Sequence, residues 1–307
     1  MNMPKEPVPD LQEIDPRESV AKQWELAPIS SVKVTKKATD GRTLFRVDTS
    51  EGTYALKLLE KGRSKEVIQR ELSLLHTLHR NHFPCTELLP TRTGYLFTDI
   101  GEQNAYLCRW VDGTHPESTN ATFEKLGKLT GRLHALPTDS LEKMRFAPSE
   151  RMRQQRQLAE RLGLDPAFIN IFSRVRDIAH LPQGIVHTDI GPHNTLEQAD
   201  GSLLLIDWED AGVGPLVIDL GWLLEQCLTL DNVFEKEKAH TFLKAYQVHR
   251  PFSSEEALYM YDMMLSFALL YCLQEDGLKD RGRKRIEWIA DHQKELQDFF
   301  LSERVRS

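Results

Sequence analysis

The sequence predicts an α+β fold in two lobes: a small antiparallel five-stranded sheet with one long helix, then a larger, mostly helical lobe. Three observations predict it. Between residues 31 and 58, apolar and polar residues alternate in three short runs separated by turn residues, the period of an antiparallel meander. Beyond residue 113, apolar residues recur every three or four positions, the period of a helix face. Residues 184–208, GIVHTDIGPHNTLEQADGSLLLIDW, hold two apolar runs around a polar loop that contains His187, Asp189, His193 and Asn194.

Composition bounds the rest. A chain of 307 residues is long enough for two domains at about 150 residues each. With 40% hydrophobic and 28% charged residues it has the make-up of an ordinary water-soluble globular protein. The net charge of −7 tells against nucleic acid or an anionic membrane as the main partner, and favours a cationic small molecule. The four cysteines, Cys85, Cys108, Cys227 and Cys272, form no C-x-x-C pair and read as buried free thiols of a reducing compartment. The first residues contain no apolar signal segment, and no run of about 18 apolar residues occurs, so a cytoplasmic protein with no membrane span is expected. Nothing in the sequence fixes the oligomeric state.

In chain order, residues 1–14 are polar and proline-rich and form a loose arm. Asp15-Pro16 starts a helix, since aspartate caps free amides and proline suits the first helical position. That helix, over 16–24, places Val20 and Trp24 four apart as a cover for the first lobe. Strands follow at 31–35, 44–47 and 53–58, with turns at 38–42, around Gly41, and at 50–52. Alternation puts Ala55 and Lys57 on one face of the third strand. A helix over 65–79 carries the stripe Val67, Ile68, Leu72, Leu75 and Leu78, together with Glu71; Glu66 lies nearer the start, where acids are expected in any case. Residues 87–90 edge a strand, and 94–97 and 105–110 supply the last two strands of five. Asp112-Gly113 leaves the sheet, so the first lobe spans 1–109 and the second 110–307, with the connection at 109–113.

The helix at 122–136 contains Phe123, Leu126, Leu129, Leu133 and Leu136, and its His134 reads as a packed structural histidine. Residues 151–162 are rich in Arg and Gln but lack aromatics, the pattern of a solvated helix rather than a nucleic-acid patch. A further helix over 167–180 leads to the apolar run at 184–186. Residues 211–215 read as a flexible glycine-rich loop. Helices at 233–248, 254–274 and 281–301 complete the lobe and wall the substrate side. Gln274-Glu275-Asp276 places negative charge at a helix end, against the dipole, where it serves a ligand or is a solvated terminus.

The runs at 184–186 and 203–206 read as strands meeting at a hairpin-like turn, because Asp200-Gly201 between apolar runs is a hairpin signal. Each strand delivers an acid to its polar edge: Asp189 and Asp207. Phosphoryl transfer needs such a set, namely a positioned hydroxyl and Mg²⁺ held against the donor phosphates. Asn194 and Asp207 offer the oxygen ligands that Mg²⁺ prefers. Asp189, five residues before Asn194, is placed to accept the hydroxyl proton.

The pattern His187-x-Asp189-x-x-x-x-Asn194, with Ile206-Asp207-Trp208-Glu209 and Ile218-Asp219-Leu220, resembles the aminoglycoside phosphotransferase and choline kinase family of protein-kinase-like enzymes. The resemblance implies ATP as donor, Asp189 as catalytic base, Asn194 and Asp207 as Mg²⁺ ligands, and Asp219 as a structural brace of the catalytic loop. It also implies that Lys57, paired with Glu71, neutralises the phosphates, and that Ala55 leaves room for adenine. The turn at Gly41 would cover the phosphates, although one glycine there departs from glycine-rich kinase loops. The main chain of Arg109 and Val111 would hydrogen-bond adenine, with Cys108 behind it. The acceptor implied is a hydroxyl of an aminoglycoside, amino-alcohol, choline-like or sugar-like molecule.

Three other readings stand beside it. A protein Ser/Thr kinase of the same superfamily would need an activation segment, yet residues 209–217 contain no Ser, Thr or Tyr. A nucleotide-binding structural protein without turnover would not need the full catalytic set. A zinc hydrolase on His187, Asp189 and His193 leaves Asn194 and Asp207 without a role.

Overall fold

The computed structural model describes residues 16–138, 141, 157, 160, 177–272 and 276–304. The arm at 1–14, Gln274-Glu275 and most of the helices expected at 151–162 and 167–180 fall outside the described residues; residues 157 and 160 are helical, and 177–180 are not. Contacts divide the chain into two compact units, one of Met1–His76 with Thr86–Val111 and one of Thr77–Cys85 with Asp112–Ser307.

The first unit opens with helix α1 (Pro16–Gln23), followed by β1 (Ile29–Lys37), β2 (Thr43–Thr49), β3 (Thr53–Leu58), helix α2 (Lys65–Arg80), β4 (Leu88–Leu89), β5 (Thr98–Ile100) and β6 (Gln103–Arg109). The sheet runs β1-β2-β3-β6-β4, with β5 also on β6, and every pairing is antiparallel. Six strands thus stand where five were expected. The sixth is the two-residue β4, inside the segment that the sequence marked as edging a strand. The strand expected at 94–97 starts later, because Gly94 takes a left-handed φ of 84° and closes a turn in which Thr91 and Tyr95 bond each other. Val20 and Trp24 pack with Val47, Tyr54, Leu56 and Leu107 in one buried cluster, and the Trp24 indole N–H donates to Leu89 O at 3.1 Å. The first helix is therefore the cover its spacing implied. Asp48 ties three runs together, accepting from Ser31 Oγ, Arg46 Nε and Thr53 Oγ1; those bonds, Ser31's first, hold its carboxyl at about 2.

The second unit contains α3 (Asn120–His134), β7 (Gln183–Val186), a 3₁₀ turn (Pro192–Asn194), β8 (Thr195–Glu197), β9 (Leu203–Leu205), β10 (Gly212–Pro215), α4 (Val217–Glu225), α5 (Lys236–Gln247), α6 (Ser254–Cys272), α7 (Asp276–Asp291) and α8 (Gln293–Ser302). Thr119 caps α3, its side chain accepting from the Thr122 N–H. Gly127 and Gly131 face α5 so closely that an added Cβ would lie 2.4 Å from Phe242 O and 2.5 Å from Tyr246 O respectively. Glycine is required at both places by that approach, not by backbone conformation.

Three expectations are corrected here. The hairpin joins β8 to β9, whereas the 184–186 run, as β7, pairs with β10 instead. The presumed flexible loop at 211–215 is thus largely the buried strand β10, with Val213 opposite Ile185 and Gly214 opposite Gly184. The long C-terminal helix is two helices, broken at His292, whose ring stacks on Trp288 at 4.0 Å and whose Nδ1 pairs with Trp288 O at 2.7 Å. Among the described residues no helix is long and apolar enough to cross a membrane.

Candidate active site

In the second unit, β7 ends on Val186 and the chain turns sharply. Thr188 takes a φ of 72°, a left-handed conformation that a β-branched residue adopts only when held. The holder is Asp219 in the first turn of α4, fully buried, which accepts from Thr188 N–H at 2.7 Å and from His187 N–H at 2.9 Å. Its Oδ2 also takes the Nε2–H of His134 at 3.1 Å. A carboxylate only accepts, so His134 Nδ1 is left as the acceptor for the Tyr246 hydroxyl at 2.9 Å. Arg250 donates to that hydroxyl at 3.4 Å and also pairs with buried Glu256. Burial lowers the pKa of His134 and raises that of Tyr246, keeping both neutral and fixing the direction of the chain.

His187 is also fully buried. Its Nε2–H donates to Ile206 O at 2.9 Å, and its ring meets Trp208 edge-on at 4.7 Å. Nδ1 is buried without a partner, and burial lowers the pKa, so the ring is a neutral brace between the loop and the strand end.

Asp189 follows, about half exposed at its carboxylate. Asn194, buried in the 3₁₀ turn, donates its amide to Asp189 Oδ2 at 2.8 Å and to Asp189 O at 2.9 Å. With the nitrogen so committed, the amide oxygen of Asn194 takes no hydrogen bond among the described residues. The Asn194 backbone carbonyl accepts from Ile206 N–H at 2.9 Å, which sets the end of β9 and exposed Asp207 beside it. Asp207 has a φ of 65°, the second non-glycine residue of this site in the left-handed region. The Asp189, Asn194 and Asp207 segments are thus brought together, with Asp219 beneath them.

In the first unit, Lys57 on β3 pairs with Leu44 and Tyr106, and Ala55 with Arg46 and Cys108. The Lys57 ammonium lies 5.9 Å from the Tyr106 ring centroid, and the Tyr106 hydroxyl reaches Glu71 Oε1 at 3.4 Å. Buried Glu71 also receives Arg63 Nη2 at 2.9 Å. Tyr106 therefore touches both members of the expected pair, and Arg63 is a partner that periodicity did not disclose, because it sits in the irregular segment before α2. Gly41 has a φ of 89° in the β1–β2 turn, and its carbonyl accepts from Gln103 Nε2 at 3.0 Å. The Arg109 N–H is taken by Glu87 O at 2.9 Å, and the Trp110 N–H by Thr53 O at 3.0 Å. Val111 is the first residue beyond that ladder. Burial pushes the Cys108 thiol up to about 12.

Among the described residues no group of three or more His, Cys, Asp or Glu could hold a metal ion, and His187 faces Ile206 O rather than His193, which tells against the zinc reading. Mg²⁺ needs less from the protein, one or two side-chain oxygens beside substrate phosphates.

A six-stranded antiparallel sheet unit, a helical unit, and a loop acid pinned by an asparagine five residues on define a protein-kinase-like fold. The chain belongs to the phosphotransferase enzyme family, whose model matches residues 32–252. It is similar to a homoserine kinase of Pseudomonas aeruginosa, 29% identical over 226 residues that cover 69% of this chain and 70% of that one. A homoserine kinase of Afipia carboxidovorans is 28% identical over 69% and 68%. Among solved structures, a microcompartment-associated aminopropanol kinase superposes with a TM-score of 0.64 at 17% identity, covering 94% of this chain and 98% of that one. A choline kinase from Streptococcus pneumoniae gives 0.59 at 19% identity, over 90% and 97%. This protein is an ATP-dependent phosphotransferase that acts on an alcohol group of a small molecule.

Proposed function

We propose that the acceptor is a small amino-alcohol of the homoserine type and that Asp189 is the base. The observation that carries the proposal is the Asp189 carboxylate, half open to solvent yet fixed by the buried Asn194 amide at 2.8 Å. In the reaction the acceptor oxygen bonds to the γ-phosphorus as the β–γ bridging bond breaks. ADP leaves with the electron pair, and the acceptor proton passes to an Asp189 oxygen. The amide oxygen of Asn194 and the Asp207 carboxylate fit Mg²⁺, a hard cation that prefers oxygen donors. When bound, the ion would neutralise charge on the phosphates.

In the first unit, Lys57 supplies positive charge to the phosphates and Glu71 steadies it. Ala55, a buried small residue on the same face, leaves room for the adenine ring. With the Arg109 N–H already committed to Glu87, the adenine contacts fall to the Arg109 carbonyl and the main chain of Val111. Gly41 lets the β1–β2 turn approach the phosphates. The homoserine kinase relatives and the chain's net charge of −7 favour an acceptor that carries an ammonium group.

The test is ATP consumption, with Mg²⁺, against homoserine, 1-amino-2-propanol, choline and spectinomycin. Homoserine or aminopropanol should give the highest kcat/KM. Asp207→Ala and Asn194→Ala should each raise the Mg²⁺ concentration needed for half-maximal rate. Turnover confined to spectinomycin would overturn the acceptor, and an unchanged Mg²⁺ requirement would overturn the ligand assignment.

A further inference from the structure

We infer that His193 is a positioning residue that holds the second oxygen of the Asp189 carboxylate, an inference that rests on Asp189 being the base. Asn194 grips Oδ2, and His193 Nε2 lies 3.1 Å from Oδ1. Because a carboxylate only accepts hydrogen bonds, Nε2 must carry the proton, which selects one tautomer of the ring. Both grips come from a single 3₁₀ turn, Pro192–Asn194, so a carboxylate side chain with two rotatable bonds is fixed at both ends.

The imidazole is itself held. Trp222 of α4 meets it edge-on, with ring centroids 6.4 Å apart, and Trp222 in turn packs on Phe267 at 4.9 Å. Gln226, the C-cap residue of α4, donates to Ile190 O at 2.8 Å and pins the backbone between Asp189 and the turn. Gly191 completes the arrangement, since an added Cβ would lie 2.7 Å from His193 Cε1 and 2.5 Å from Gln226 Oε1. A side chain at residue 191 would require the His193 ring or the Gln226 amide to shift. A histidine that was merely a solvated loop residue would need neither a bare backbone beside it nor an indole against it.

A carboxylate held by only one oxygen swings about its Cβ–Cγ bond and spends time turned away from an in-line hydroxyl. Loss of a hydrogen bond to a charged group, here half exposed, corresponds to about tenfold in rate. His193→Ala should therefore lower kcat about tenfold and leave the KM for ATP within about twofold. His193→Gln carries an N–H at nearly the same reach and should return kcat to within about threefold of the native protein. In an Asp189→Ala background, His193→Ala should cost nothing further, because its partner is gone.

The rates are read on whichever of homoserine, 1-amino-2-propanol, choline and spectinomycin is turned over fastest, with thermal melting to check folding. Imidazole ¹⁵N spectra of the native protein should show the Nε2–H tautomer at His193, and Asp189→Ala should abolish that preference. Four results overturn the proposal: native kcat in His193→Ala, no rescue by glutamine, an additive double mutant, or a native Nδ1–H tautomer. Failure of the reading beneath it looks different, since Asp189→Ala would then keep its turnover whatever His193 does.

Discussion

Asp219→Asn changes one oxygen into an NH₂ group and nothing in shape. Asp219 takes His187 N–H and His134 Nε2–H on Oδ2 and Thr188 N–H on Oδ1. Either way round, the new amide presents an N–H to the main-chain N–H of His187 or of Thr188. His134 can adapt by changing tautomer, since the Tyr246 hydroxyl can rotate, but a peptide N–H cannot. The cost is one lost hydrogen bond to a charged group, about 1.5–3 kcal/mol, plus a buried donor left unmatched, about 1–3 kcal/mol. We expect a loss of about 3–5 kcal/mol in this unit and, at roughly 2–4 °C per kcal/mol, a fall in Tm of about 10 °C. Thr188, released from its 72° φ, would relax toward negative φ and carry Asp189 with it. With Asp189 as the proposed base, a displacement of about 1 Å there is worth about a hundredfold in kcat. Differential scanning fluorimetry and steady-state kinetics measure the two effects. A variant with native Tm and kcat within threefold would refute the bracing role.

Lys57→Ala should raise the KM for ATP about 10- to 100-fold, the worth of a charge-assisted contact to phosphate, with the acceptor KM little changed; an unaltered KM for ATP would place Lys57 outside the nucleotide site. Burial lowers the pKa of His134 and His187, so the unfolded chain binds protons that the native one refuses. Stability is then intact above about pH 6.5 and lost as pH falls below it, at up to about 1.4 kcal/mol per pH unit for each histidine, which urea melts at pH 7.5 and 5.5 would show. Burial pushes the Cys85 and Cys108 thiols up to about 12 and raises Cys227 as well. At pH 8 the first two should be thiolate only about once in 10⁴, so iodoacetamide should leave all three unmodified until the protein is denatured.

Much of the fold was legible because its signals are local. The β2–β3 meander and α2 follow from alternation and from the stripe through Ile68, Leu72 and Leu75, all buried. Asp189, Asn194 and Asp207 were legible because one short segment carries them all. What escaped depends on partners distant in sequence. The 184–186 run could have paired with either neighbouring apolar segment, and it pairs with β10, Gly212 opposite Val186 and Gly214 opposite Gly184. Arg63 on Glu71 is an ion pair between a loop and a helix face, to which no periodicity applies. His193 stood in plain view as a loop histidine, but its contact with Asp189 and the Trp222 ring beside it appear only once α4 lies against the loop.

Proton transfer from the acceptor hydroxyl to Asp189 is tested by single-turnover transfer of the γ-phosphoryl group in the Asp189→Ala variant. The rate should fall about 10²- to 10⁴-fold with ADP affinity within about threefold of native. Transfer at close to the native rate would contradict it.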